Sequence, residues 1–260
     1  MVNAFAFRLV RLIRWKFLPK VFVAVLGLGL FSLSGFHWTT FLIYLATAFW
    51  GYFSFGREER EPLRSSFFIL VFGAPFSLFI TYGFFPNVHV LVPVSIFIVF
   101  SLLLGFILGF FRSFFEDRQL VFRIIQSLVL FLSLFFLFFI HSFADFWFSP
   151  VSLFWLLSLF IVSTILVREF FRFFHIFPGL SGWFWSILAG FFSVQLSWVL
   201  LLLPVSFFGA SLVLSAFLLL SREGLVAHFS STLSRRHLLF GLFSLFSLVL
   251  LSFFLVPASF

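Results

Sequence analysis

Cysteine is missing from all 260 residues, which removes disulfides, thiolate metal sites, cysteine nucleophiles and palmitoylation together. Charge is nearly as scarce. Asp, Glu, Lys and Arg make up 9% of the chain against 63% hydrophobic residues, too little polar surface to cover a water-soluble globule of this length. Long polar loops are lacking too, so there is no room for a nucleotide-binding or peptidase domain between the apolar runs. Those runs carry no Asp, Glu, Lys or Arg near their centres as read from the sequence. Pumps, proton-coupled carriers and voltage sensors usually place ionisable groups there, so these mechanisms are disfavoured.

What is present is one apolar run after another, bulked out by 53 phenylalanines. A hydrocarbon core roughly 30 Å thick takes about 20 apolar residues per helix. On that measure the sequence predicts nine spans, at 18–34, 37–55, 65–85, 90–111, 124–146, 151–167, 183–203, 208–221 and 238–256. The eighth is short and would need Val205 to Phe207 or a locally thinned bilayer. The expected fold is all-α, a polytopic integral membrane protein with about nine transmembrane helices, forming a single transmembrane helical domain over 1–260. Residues 1–34 read as a basic amphipathic segment plus the first span, and 37–257 as eight further spans.

Threading follows from the basic residues, because Lys and Arg near span ends stay on the cytoplasmic side. Arg8, Arg11, Arg14, Lys16 and Lys20 precede span one; Arg57, Arg60 and Arg64 follow span two; Arg112, Arg118 and Arg123 follow span four. Arg168 and Arg172 follow span six, and Arg222, Arg235 and Arg236 follow span eight. All 16 basic residues thereby fall on one side, which puts the N-terminus inside and the C-terminus outside. The net charge of +8 is accounted for by this rule and points to no nucleic acid. The plasma (inner) membrane is the expected location.

The first span has the outline of a secretory signal ending "SLSG", but Phe5, Leu9, Ile13 and Phe17 opposite Arg8, Arg11 and Arg14 read as an interfacial helix leading into an anchor. Arg57, Arg112, Arg168 and Arg222 recur about every 55 residues, so the chain can be drawn as one anchor helix plus four helical hairpins. Two minimal spans with short loops have the same length without any duplication.

Chemistry is thinly signalled. The stretch "GREEREPLR" mixes Glu58, Glu59 and Glu61 with Arg57, Arg60 and Arg64 at zero net charge, the composition of a solvated turn. On the outer side His37, His89, His141 and Asp145 supply an N,N,N,O set for a divalent metal, His141 and Asp145 sharing a helix face at i,i+4. Pro75, in mid-span, and Gln195 mark a midplane substrate site of the kind carriers build at broken helices. Gly105 and Gly109 form a Gly-x-x-x-Gly that would let a membrane-protein partner approach span four.

No motif implies a cofactor, and the bilayer is the first expected partner. The leading reading is a non-enzymatic membrane scaffold or complex subunit. A small-molecule or lipid transporter using Pro75 and Gln195 is the second reading, and an outer-face enzyme or metal site the third.

Overall fold

The computed structural model describes residues 18–54, 63–84, 91–108, 118–142, 150–175, 179–203, 205–230 and 235–254. Among these residues every regular element is an α-helix. There are nine: α1 Leu18–Leu33, α2 Trp38–Phe53, α3 Arg64–Phe84, α4 Leu91–Ile107, α5 Arg118–Ser142, α6 Pro150–Phe173, α7 Leu180–Leu202, α8 Phe207–Phe229 and α9 Arg235–Phe254. Four helical stretches are long and apolar enough to cross a membrane: Gln119–Phe139, Leu153–Phe173, Leu180–Leu202 and Phe207–Phe229. The lengths follow from the sequence, since unbroken Leu, Phe, Ile and Val runs satisfy every backbone group within the segment, which an apolar solvent demands.

The chain divides into two compact units, Met1–Ile125 and Gln126–Phe260. In the first, α1 packs along α2, α3 along α4, and α1 also meets α3 and α4. Helix α1, the anchor helix of the sequence reading, is thus a packed member of its unit. The α1–α2 connection is a tight turn with Gly35 at φ 70° and Phe36 at φ 65°. A non-glycine side chain in that region costs about 1–2 kcal/mol. The Phe36 ring is held in place by edge contacts with Phe31 at 5.0 Å and Phe79 at 5.8 Å. Pro75 lies inside α3 and is buried.

In the second unit α6 packs along α7 and α8 along α9, while α7 and α6 both touch α8. Two sequence boundaries need correction here. Span six, ended at 167, continues through Arg168 and Glu169 to Phe173, and span eight, ended at 221, continues through Arg222 to Phe229. Hydropathy stops an apolar run at its first charge. Both helices run on past it: Arg168 is only partly buried, whereas Glu169 (5% exposed) and Arg222 (3%) are buried among neighbouring helices. These charges lie in the last third of α6 and α8, away from the helix centres.

Candidate functional site

Buried polar side chains concentrate in the second unit. Gln126, Ser163, Thr164, Glu169, Ser186, Ser193, Ser197, Ser211, Ser215 and Arg222 are there, against Ser66 and Ser77 in the first. Two arrangements account for most of them.

The α6–α7 seam is built from small residues. Gly182, Ser186, Gly190, Ser193 and Ser197 lie on one face of α7 at spacings of three and four, and all are buried. A Cβ added at Gly190 would overlap Thr164 Oγ1 and lie 3.0 Å from the Phe160 carbonyl oxygen, so backbone meets backbone at that point. Close approach of this kind is how helices associate where no hydrophobic force acts between them. The serines direct their hydroxyls back into their own helix: Ser186 to the Gly182 carbonyl at 2.6 Å, Ser193 to Ala189 at 2.7 Å and Ser197 to Val194 at 2.7 Å. They fill space without leaving a polar group to be hydrated.

The second arrangement is a lock across α5, α6 and α8. Ser211, Ser215, Leu218 and Arg222 form the inward stripe of α8, which ends on the guanidinium. Arg222 Nη1 donates to Gln126 Oε1 at 2.6 Å and Nη2 to Ser127 Oγ at 2.9 Å, two neighbouring acceptors on α5. Gln126 Nε2 in turn donates to the Leu166 carbonyl of α6 at 2.6 Å. A guanidinium has no acceptor and a carbonyl no donor, so both contacts independently require the same orientation of the amide. The Arg222 guanidinium also sits 4.2 Å from the centre of the Phe170 ring. Glu169, three residues beyond Leu166 and next to Phe170, is buried at the same level of α6.

The magnitudes are compatible with a charge placed inside an apolar helix. An arginine at the centre of a membrane span costs about 2.5–3.5 kcal/mol on insertion scales. Each hydrogen bond from a charged group returns about 1.5–3 kcal/mol net, and a desolvated cation–π contact about 2 kcal/mol. Lysine has no flat fork to reach two acceptors while covering a ring.

The residues singled out from sequence are distributed differently. His37 is the exposed N-cap residue of α2 in the first unit, and its carbonyl accepts from Phe41 N at 3.0 Å and Thr40 Oγ1 at 2.7 Å. His141, half-buried in the second unit, has its ring 4.6 Å from that of Trp155, whose Nε1 donates to the Leu137 carbonyl at 2.6 Å. His89 and Asp145 lie outside the described residues, and among the described residues no group of three His, Asp or Glu could hold a metal. Pro75 and Gln195 belong to different units, and Gln195 is exposed on α7. Gly105 is buried in α4, and Gly109 lies outside the described residues.

Sequence reading missed the lock because it assigned Arg222 to a loop. The available signal was the spacing Ser211, Ser215, Leu218, Arg222, a single helical stripe that runs through the charge. In comparisons with known proteins, no family model, no curated protein and no solved structure matches this chain, so its functional reading rests on these residues alone.

Proposed function

We propose that the chain is a multi-pass membrane component of the plasma (inner) membrane, working as a non-enzymatic scaffold or complex subunit through helix packing and lipid contact. The observation that carries this reading is the use made of most of the buried polar side chains in the second unit, Ser163 Oγ and Thr164 Oγ1 being hydroxyls without a hydrogen-bond partner among the described residues. Arg222 is turned onto Gln126 and Ser127, Gln126 onto the Leu166 carbonyl, and Ser186, Ser193, Ser197 and Ser215 onto carbonyls of their own helices. Such groups fix which helices meet, and at which depth, as buried polar pairs specify register in helical assemblies. A carrier needs polar groups aimed into a space that a solute can enter.

Water access to the seam separates the two. The chain has no cysteine, so single replacements Ser193→Cys, Ser197→Cys and Ser215→Cys can be made in the full-length protein in lipid vesicles. The expected outcome is that none reacts with a small water-soluble thiol reagent. Rapid modification along the stripe would discard the scaffold reading in favour of a carrier.

A further inference from the structure

Helix α7 has two working faces. Its inward face is the small-residue seam. Nearly opposite run Phe184, Ile187, Phe191, Gln195, Val199 and Leu202, spaced three and four apart and all exposed. Five of these are the apolar residues expected against lipid tails, and the sixth is an amide. Gln195 lies seven residues from the nearer end of α7, which at 1.5 Å per residue is about 10 Å inside a helix long and apolar enough to cross a membrane. At that depth hydrocarbon offers no hydrogen bond to a side chain with two N–H donors and a carbonyl acceptor. Among the described residues none bonds to it.

Deepening the scaffold reading and resting on it, we infer that this face is the contact between two copies of the chain, with the Gln195 amides of the two α7 helices bonded reciprocally. Depth selects the occupant. Two copies inserted in the same orientation are related by a two-fold axis along the membrane normal, so Gln195 of one helix lies at the same level as Gln195 of the other. The amide is its own complement: each carbonyl accepts from the other's NH2 group, and neither helix carries a charge at that level. The apolar residues at 3.6-residue periodicity supply the flanking contact, and the amide fixes register and partner, as a single buried amide does in a coiled coil.

The absence of cysteine makes the test direct. The full-length protein is reconstituted in lipid vesicles as Phe191→Cys or Val199→Cys, with Phe72→Cys at an exposed position of α3 as the control, and oxidised. Dimer bands are expected at 191 and 199 and not at 72. Dilution in lipid, read by energy transfer between labelled copies, is expected to show Gln195→Leu weakening the dimer about tenfold and Gln195→Asn retaining most of it. Gln195 bonds to nothing within the described chain, so Gln195→Leu is expected to leave thermal unfolding unchanged. A monomer at all lipid ratios, or a dimer indifferent to Gln195→Leu, overturns the proposal. These results are separable from the thiol test of the seam. An unreactive seam in a monomer rejects the dimer alone, and a reactive seam in a Gln195-dependent dimer rejects the scaffold alone.

Discussion

The guanidinium of Arg222 and the amide of Gln126 are worth more together than either is alone, and this coupling is measurable. Replacing Gln126 with Leu removes its bond to the Leu166 carbonyl and leaves Arg222 Nη1 without its 2.6 Å acceptor. Losing a hydrogen bond to a charged group costs about 1.5–3 kcal/mol. Replacing Arg222 with Leu as well removes the charge that had lost that acceptor, and exchanging both partners for apolar groups can be close to neutral. Unfolding free energies of Gln126→Leu, Arg222→Leu and the double variant should therefore be strongly non-additive, the double variant being less destabilised than the two singles summed by at least about 1 kcal/mol. Strict additivity would mean that Arg222 and Gln126 are neighbours without being a lock. Arg222→Lys should recover only part of the loss, because an ammonium cannot reach Gln126 Oε1 and Ser127 Oγ while lying flat on Phe170.

At the level of the element, glycine means opposite things at two positions in adjacent helices. Gly190 is a point of backbone approach, where a methyl group would overlap Thr164 Oγ1 and crowd the Phe160 carbonyl oxygen at 3.0 Å and the Phe160 ring at 3.2 Å. Backbone cannot swing aside as a side-chain tip can, so Gly190→Ala should separate α6 from α7 and cost about 1–3 kcal/mol. Gly224, inside α8, has nothing within 4 Å of an added Cβ. Gly224→Ala should raise stability by about 0.5–1 kcal/mol through helix propensity. Thermal melts of the two variants in one detergent test both signs, and destabilisation by Gly224→Ala would show that α8 is packed more tightly there than the structure has it. The elements themselves were largely legible, since continuous apolar runs give helices by length alone. Their ends were not. A hydropathy window ends a span at Arg168 or Arg222, whereas whether a charge terminates a helix depends on partners such as Gln126, some 96 residues away in sequence. The Gly-x-x-x-Gly of Gly105 and Gly109 was visible as a sequence motif, while the longer seam on α7 was hidden because three of its five small residues are serines, which also read as scattered polar residues of a span.

For the whole molecule, threading is the property that the arginines address most directly, and the lock bears on it. If the N-terminus is inside, α5 runs outward while α6 and α8 run inward. Gln126 near the start of α5, and Leu166 and Arg222 towards the ends of α6 and α8, then share one level on the cytoplasmic side of the bilayer. The hydrogen bonds require that common level whichever way the unit is inserted; the positive-inside bias selects the orientation. The proposed threading places 57–64, 112–123 and 222–236 towards the cytoplasm, the buried part of that last stretch excepted, and the connections near 86–89 and 147–150 outside. Single cysteines in this cysteine-free chain report it. In sealed cells an impermeant thiol reagent should label Asn87→Cys and Phe148→Cys from the outside and leave Ser65→Cys unlabelled until the membrane is opened. Ser65 lies in the first turn of α3 beside Arg64. External labelling at Ser65→Cys would place that arginine on the outer face, against the proposed threading, which puts all 16 basic residues on one side. It would invert the depth assigned to α3 and, with nine spans, the sides of both termini.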